Sequence, residues 1–160
     1  MAKSKKDSPK QATATVNKKA FHNFELLDRF EAGLSLTGSE VKSLRAAQAD
    51  LDGSYARIEG DECWLVGAKI AQYEQAGINN HEQDRRRKLL LHKAEIHKIQ
   101  SKLEQRGFTL VPLKIYFNQR GLAKAEVALA KGKRQYDKRD SIMKREQRRD
   151  MDRDMKKYDR

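Results

Sequence analysis

The clearest alternating pattern in the chain covers residues 111–129, which read VPLKIYFNQRGLAKAEVAL. Apolar side chains recur at every second position from Val111 to Phe117, and the alternation returns after residues 118–121, which read NQRG. Side chains of a strand point to opposite faces in turn, so the pattern predicts a β-hairpin with one face buried. Pro112 has no amide donor, and we therefore expect it at a strand start, a bulge or a sheet edge.

Shorter patterns on the N-terminal side of this hairpin predict the remaining elements. Thr37 and Glu40 have the spacing of a capping box in front of an apolar helical repeat, and Gly107 follows a second such repeat. The predicted elements are a strand over 20–31, a helix over 38–47, a hairpin over 55–70 that turns at Gly60-Asp61, a surface loop over 74–84 and a helix over 93–105.

The spacing of these elements indicates the fold class. Five or six short strands at irregular intervals do not fit a doubly wound parallel sheet, whereas a small closed antiparallel barrel accommodates them. We therefore predict a mainly β protein with an oligonucleotide-binding-type antiparallel barrel and two or three flanking helices. The predicted division is a disordered basic arm over 1–16, the barrel domain over 17–130 and a basic tail over 131–160 that is disordered when free.

Positive charge is concentrated at the two ends of the chain. The 160 residues include 35 Lys and Arg against 23 Asp and Glu, a formal net charge of +12. Residues 1–20 hold six Lys and one acid, and residues 131–160 hold thirteen bases and seven acids. Basic ends have two ordinary explanations that composition does not separate, namely solvated solubility tails and contacts with a polyanion.

Residue usage excludes or disfavours several classes of protein. The longest large aliphatic run is Leu89–Leu91, and no apolar stretch follows the first lysines, so we expect a cytoplasmic protein without a membrane span or secretory signal. Cys63 is the only cysteine, which excludes an internal disulfide and a Cys-rich zinc module. The four His are scattered without a catalytic or metal-binding spacing, so we predict no enzyme, metal or cofactor.

Two features of the barrel region suit a polyanion. Residues 85–88, which read RRRK, close the predicted loop immediately before an apolar run. They form either a cationic patch against a rigid surface or a solvated charge run, and the pattern favours neither. On the hairpin, Lys114 and Lys124 share the predicted outer faces with Tyr116. An aromatic group beside cations is typical of RNA binding, where bases stack and phosphates pair.

The tail has the composition of a helix with little to hold it in place. Charges of both signs are interspersed after Gly132, and Met151, Met155 and Tyr158 lie at i, i+4 and i+7, which gives one thin apolar stripe. Such a helix is too polar to pack firmly on its own domain. It either folds on a polyanion or remains a solvated single helix with Glu/Arg pairs.

Six short motifs that occur in order carry a resemblance to a known family. They are NKKA at 17–20, EAGL at 31–34, GSEVKSLR at 38–45, RKLLL at 87–91, GFTLVPL at 107–113 and KGKRQYDKR at 131–139. Together they resemble the bacterial SsrA-binding proteins, also called small protein B, which are partners of transfer-messenger RNA.

The resemblance implies both a fold and a function. The family has an oligonucleotide-binding-type barrel that binds the tRNA-like domain of transfer-messenger RNA. It accompanies this RNA to the vacant A site of a stalled ribosome, the rescue process called trans-translation, and it has no enzymatic activity and no metal. We expect a monomer. The alternatives that remain are a structural ribosomal protein or generic basic RNA-binding protein, and an RNA-processing enzyme.

Carried over by position, the resemblance implies RNA contacts on the barrel. Lys124 would pair with phosphate, Glu31 would accept hydrogen bonds from base or ribose donors or position a cation, and Leu91 would pack on a base or sugar. With the basic run, the predicted RNA-binding residues are Asn17, His22, Glu31, Arg45, Arg85, Arg87, Lys88, Leu91 and Lys124.

The resemblance also implies a role for the tail at the decoding centre, against 16S ribosomal RNA. There Tyr136 would stack on a base, and the tail would compete with mRNA for one path and so test whether message is absent. The implied decoding-centre residues are Gly132, Lys133, Arg134, Tyr136, Asp137, Lys138 and Arg139, and the implied helix in the mRNA channel carries Ile142, Met151 and Met155.

The chain departs from the family pattern at three places. Ala47 stands where Gly is common, a change that we expect to favour the helix. The loop before Arg85 lacks the expected proline, and Asp154 stands where a hydrophobic residue is often found.

Overall fold

A computed structural model of the chain describes residues 12–133 and 135–158. Within these ranges the helices are α1 (Lys18–Asn23), α2 (Gly38–Arg45), α3 (Lys93–Leu103) and α4 (Gln135–Tyr158). The strands are β1 (Ala12–Val16), β2 (Phe24–Leu34), β3 (Ala49–Asp50), β4 (Tyr55–Glu59), β5 (Glu62–Val66), β6 (Lys69–Ile70), β7 (Arg87–Leu90), β8 (Phe108–Phe117) and β9 (Ala123–Gly132). A short 3₁₀ segment, Glu74–Asn79, lies in the loop between β6 and β7.

Six strands close into an antiparallel ring in the order β8, β4, β5, β7, β2 and β9, with β9 pairing back to β8. Strand β1 adds to the second half of β8, and β3 and β6 form a separate two-stranded ladder. The β8–β9 hairpin is the one predicted from residues 111–129, and it closes the ring because β9 pairs with β2 along its other edge. The prediction of a small closed antiparallel barrel is confirmed.

Aliphatic side chains from every strand of the ring fill the barrel. Each large one that is fully buried contributes about 1.5–3 kcal/mol to stability. The buried set includes Ala32, Ala56, Leu65, Leu89, Leu110, Ile115 and Val127.

A register shift in β8 places further apolar side chains on the outside of the barrel. The shift lies between Pro112 and Lys114, so Pro112 is at a bulge, one of the three places expected for it. Before the shift, Val111 and Leu113 pack against α1, whereas Ile115 after the shift faces the interior. The predicted single buried face of this strand is therefore wrong, because the additional residue at a bulge reverses the alternation.

Helix α1 occupies residues that the sequence analysis assigned to a strand. The side chain of Asn17 accepts a hydrogen bond from the Ala20 amide at 3.0 Å and so caps the helix, and β2 begins only at Phe24. A register shift after Leu26 then turns Phe30 into the barrel interior, while Phe24 and Leu26 pack outside it with α1. The alternation missed α1 because the helix is only six residues long and its apolar residues also suit a strand.

Strand β1 begins before the predicted start of the folded domain. Residues 12–16 pair antiparallel with β8, and the adjoining Asn17 amide donates to the Leu113 carbonyl at 2.7 Å. Expected disorder is therefore wrong for these five residues, three of which are β-branched and suited to a strand. Residues 1–11 of the predicted arm lie outside the described residues.

Helix α2 ends in a hydrogen-bonded turn that centres on Ala47. The Ala47 amide donates to the Leu44 carbonyl at 2.9 Å, and the Gln48 amide donates to the Ser43 carbonyl at 3.0 Å, the two bonds of a Schellman motif. Ala47 has a φ of 55°, in the left-handed region that glycine adopts without steric cost. The expectation that Ala47 favours the helix is wrong, because this residue lies beyond the helix in a conformation that disfavours a side chain.

The side chains of helix α4 that the structure describes lie in solvent. Every side chain of α4 whose exposure is defined, at 139, 142–153 and 155, is exposed. Arg153 pairs with Asp150 within the helix at 3.4 Å. The tail thus has the form of the solvated single helix, the alternative to the disorder expected in the free protein. Arg134 and residues 159–160 lie outside the described residues.

Candidate nucleic-acid interface

One outer face of the barrel brings together side chains from β2, β9 and β8. Directly paired residues in a sheet lie close enough for their side chains to interact. The first row across this face is Gly33, Lys124 and Tyr116, and the second is Glu31, Glu126 and Lys114. The strand register therefore makes neighbours of Glu31 and Lys124, two of the predicted RNA contacts. We call these six residues the outer face.

The charges of the outer face are unevenly paired. Glu126 accepts from Lys114 at 2.9 Å and from Arg29 at 3.2 Å, so one carboxylate engages both cations. The Lys124 Nζ atom lies 3.7 Å from Glu31 Oε1, a longer contact that leaves the ammonium able to donate to a phosphate. The Glu31 side chain is 55% exposed and that of Lys124 28%, so both are accessible to a ligand.

Tyr116 lies beneath these charges and is not exposed. Only 3% of the residue is accessible, so the predicted surface for base stacking at this position is wrong. Its hydroxyl donates to Glu31 Oε2, and Lys114 Nζ lies 5.2 Å from the centre of its ring. Burial, followed by the Glu31 carboxylate, raises the pKa of Tyr116 well above its ordinary value of 10.0, so the hydroxyl remains a donor at neutral pH.

Strand β7 presents Leu90, and not Leu91, beside the outer face. Leu90 pairs with Gly33 of β2 and is 55% exposed, whereas Leu91 is partly buried against the barrel core. Leu89 points into the barrel, so the strand alternation puts Leu90 outside. The contact implied at Leu91 stays a prediction, while the exposed side chain that the structure places beside the outer face is Leu90, which the alternation with buried Leu89 could have indicated.

Arg87 is a structural residue in this fold. Its side chain is fully buried, and its Nε donates to Glu40 Oε1 at 2.8 Å. Its Nη1 and Nη2 atoms donate to backbone carbonyls, including those of Ala68 at 2.6 Å and Gln83 at 3.0 Å. All three nitrogens have protein acceptors, so the fold engages the Arg87 guanidinium internally, and its RNA contact stays a prediction.

Glu40 is the buried centre of this network. It also accepts from the half-exposed Arg85 at 2.8 Å and from the Thr37 amide at 2.7 Å. Burial alone would raise the pKa of Glu40, but the bonds from Arg85 and Thr37 and the charge of Arg87 outweigh burial and lower it. The Glu40 carboxylate thus connects the loop before β7 to the start of α2. Because Arg85 pairs with Glu40, its guanidinium is partly engaged within the protein.

The other predicted barrel contacts differ in how available they are. Asn17 is buried, and its amide nitrogen donates to the carbonyls of Leu51 and Pro112, so it has a structural role, and its RNA contact stays a prediction. Lys88 pairs with Glu62 on the neighbouring strand. The Lys88 side chain is still 38% exposed, His22 in the last turn of α1 is partly exposed, and Arg45 is exposed. The Arg45 guanidinium lies 5.7 Å from the Phe117 ring centre.

The predicted decoding-centre residues begin where β9 leaves the barrel. Gly132 ends the strand, and the Lys133 amide donates to the Asn23 carbonyl at 3.0 Å, which anchors the start of the tail to α1. Tyr136, Asp137, Lys138 and Arg139 follow on α4, and Arg139 is exposed. The predicted channel residues Ile142, Met151 and Met155 are also exposed on α4.

The described residues offer little for other kinds of chemistry. Among them, no group of three or more His, Cys, Asp or Glu side chains is placed to hold a metal ion. Burial raises the pKa of the Cys63 thiol to about 11, so this thiol is a poor nucleophile. No helix in the described parts of the chain is both long enough and apolar enough to cross a membrane.

Comparison with known proteins gives one consistent result. The family model described as SmpB protein matches residues 14–157. An SsrA-binding protein of Thermosipho melanesiensis is 50% identical over 131 residues, which cover 82% of this chain and 89% of the relative. One from Agrobacterium fabrum is 50% identical over 145 residues, covering 87% and 91% respectively.

A solved structure agrees with the sequence comparisons. A chain from work described as "tmRNA-SmpB: a journey to the center of the bacterial ribosome" is 48% identical to this chain and superposes with a TM-score of 0.66. The match covers 80% of this chain and 93% of that one. The extent of the family match, together with the identity to these relatives, assigns the chain to a family: it belongs to the SmpB proteins.

Proposed function

We propose that this protein binds the tRNA-like domain of transfer-messenger RNA with its outer face and delivers the RNA to the A site of stalled ribosomes for trans-translation. The observation that carries the proposal is the adjacency of Glu31, Lys124 and exposed Leu90 on one side of a barrel of the SmpB family. The protein acts as a cytoplasmic monomer and as a binding factor without catalytic activity.

Each of these three side chains supplies a different contact. Lys124 pairs with a phosphate, which positions the RNA without reading its sequence. Glu31 accepts hydrogen bonds from donors of a base or ribose, and Leu90 packs against an unstacked base or sugar. The outer face is therefore suited to a folded RNA that presents phosphate and an unpaired nucleotide side by side.

The tail serves a separate step on the ribosome. Gly132 and Lys133 direct it away from the barrel, residues 134–139 contact 16S ribosomal RNA at the decoding centre, and α4 enters the empty mRNA channel. The exposed cations of α4 meet phosphates there, and the stripe with Met151 and Met155 finds a surface that buries it. Because mRNA would occupy the same path, only a ribosome without downstream message accepts the helix.

Binding measurements over a salt series test the role of the outer face. We expect the wild-type protein to prefer transfer-messenger RNA strongly over an ordinary tRNA at every salt concentration. Lys124→Ala should weaken binding, and it should reduce the log–log salt slope by roughly 0.7–0.9 because one phosphate contact is lost. Lys102→Ala, which removes an exposed Lys from α3, is the matched control and should leave both quantities unchanged.

A truncation after Lys133 tests the division between face and tail. The shortened protein should bind transfer-messenger RNA as the full chain does, and it should no longer support tagging of peptides on stalled ribosomes. Loss of RNA affinity on truncation would contradict the division. Equal affinity of the full chain for transfer-messenger RNA and tRNA would contradict the proposed function itself.

A further inference from the structure

The hydroxyl of buried Tyr116 contacts Glu31 from the protein side of the outer face. Tyr116 of β8 is buried, and its hydroxyl donates to Glu31 Oε2. From the side, Lys124 lies 3.7 Å from the other carboxylate oxygen, Oε1. Tyr116 therefore fixes one carboxylate oxygen by a hydrogen bond, and the Lys124 ammonium lies near the other, although more than half of the Glu31 side chain is exposed.

We propose that Tyr116 is a positioning residue for RNA recognition, whose buried hydroxyl fixes the Glu31 carboxylate as a hydrogen-bond acceptor for the donor groups of an unpaired nucleotide. This inference rests on the proposed function. A free Glu side chain on a strand samples several rotamers and loses conformational entropy when it is fixed. Tyr116 fixes it before the RNA arrives.

The chemistry of the carboxylate identifies the class of group that it recognises. An ionised carboxylate only accepts hydrogen bonds, and it repels phosphate. Its two oxygens offer about four lone-pair sites, so acceptor capacity remains beyond the hydrogen bond from Tyr116 and the longer contact with Lys124. The matching ligand groups are N–H donors on a base edge or a ribose hydroxyl, next to a phosphate that Lys124 can reach.

The position of Tyr116 supports this role over simple packing. The phenol supplies a donor that stays protonated at neutral pH because burial and the Glu31 charge both disfavour the phenolate. Two other cations on these strands, Lys114 and Arg29, both pair with Glu126 and not with Glu31. Tyr116 is thus the contact that orients Glu31 from within the protein.

A double-mutant cycle on binding to the tRNA-like domain of transfer-messenger RNA tests the proposal. Tyr116→Phe removes only the hydroxyl, and we expect RNA affinity to fall roughly threefold to tenfold, the range of one lost hydrogen bond. In a Glu31→Ala background the same substitution should have no further effect, because no carboxylate is left to position. Thermal unfolding of Tyr116→Phe should stay close to wild type because the ring still packs.

The outcomes separate this inference from the proposed function. If Lys124→Ala weakens RNA binding while Tyr116→Phe leaves it unchanged, the positioning role is overturned and the outer face keeps its function. Equal losses from Tyr116→Phe with and without Glu31 would also overturn it, since the effect would not act through the carboxylate. If Lys124→Ala has no effect either, the proposed function fails at this face.

Discussion

The barrel and α4 place their charges in opposite ways. In the barrel, a fully buried Arg87 and Glu40 bind each other and backbone groups, so charge is part of the interior. In α4 every side chain of defined exposure is in contact with solvent, and the ion pair formed there joins Arg153 to Asp150 within the helix. In the barrel, buried charges fix a single geometry, whereas in α4 the described charges stay in solvent, where a partner can reach them.

The difference shows where each region obtains its stability. The barrel is held by its core and by a network that joins distant parts of the chain, so its functional side chains sit on a rigid support. An isolated helix has only local bonds, and pairs such as Asp150–Arg153 contribute about 0.2–0.5 kcal/mol each. A solvated helix is therefore marginal in water, and α4 gains firm stability only from a partner. The two regions should respond to perturbation independently.

The largest expected effect comes from breaking the buried network. Glu40→Ala leaves the Arg87 guanidinium buried without its carboxylate, and we expect the free energy of unfolding of the barrel to fall by about 3–5 kcal/mol. Urea denaturation followed by Trp64 fluorescence measures the loss. The matched control is Glu59→Ala. It removes the carboxylate that pairs with the exposed Arg57 and Arg86, and it should lower the free energy of unfolding by no more than about 1 kcal/mol. Similar losses for both variants would contradict a special role for the buried carboxylate.

Acid should act on the same group with a smaller effect. The pKa of Glu40 is lower in the folded chain than its ordinary value of 4.5, because Arg85, the Thr37 amide and Arg87 outweigh the effect of burial. The folded state therefore binds this proton less readily than the unfolded state, and the stabilisation is present above the ordinary value and lost as pH falls through the folded pKa. Glu40→Gln should flatten the fall in barrel stability below about pH 4.5, measured by urea denaturation across pH. An unchanged slope would mean that other carboxylates control acid unfolding.

A gain in barrel stability is expected at the end of α2. Ala47 has a φ of 55° in a turn whose bonds require it, and glycine removes the steric cost there. Ala47→Gly should raise the free energy of unfolding by about 1 kcal/mol, which thermal or urea unfolding detects. Ala46→Gly, at the preceding position with a φ of −80°, is the control and should be destabilising. A loss of stability in Ala47→Gly would show that the left-handed conformation is not maintained in solution.

Local patterns were sufficient for the barrel but not for the direction of individual side chains. The β8–β9 hairpin could be predicted because its alternation and turn are encoded within 20 residues. The bulge at Pro112 reverses that alternation in β8, and the register shift after Leu26 does the same in β2; the apolar side chains on the N-terminal side of each shift pack with Ala20 of α1. The expectation that Ala47 lies in the helix was also wrong, because the helical spacing does not fix where the helix ends, and α2 ends two residues before Ala47.

The candidate site shows the same contrast between what local sequence predicts and what register and packing decide. Glu31 and Lys124 could be named from the family resemblance, whereas their contact depends on strand register that no local pattern specifies. The basic run at 85–88 could be recognised as a charge run, but the burial of Arg87 follows from its pairing with Glu40, which lies 47 residues away in the chain. The alternation predicts the correct strand face for Tyr116 but not its burial, which results from the contacts of Lys114 and Glu31 with it.

Removal of the tail should have the smallest effect on the barrel and gives the strictest test of independence. A chain that ends after Lys133 keeps β9 complete and retains the bond from the Lys133 amide to the Asn23 carbonyl. Because α4 exposes each of its side chains of defined exposure, we expect the free energy of unfolding of the barrel to change by less than about 0.5 kcal/mol. Urea denaturation followed by Trp64 fluorescence reports on the barrel alone, while the circular dichroism signal at 222 nm should lose only the helical part that α4 contributes. A fall of 1 kcal/mol or more, roughly a fivefold change in the folding equilibrium, would mean that α4 docks on the barrel in solution and that the two regions are coupled.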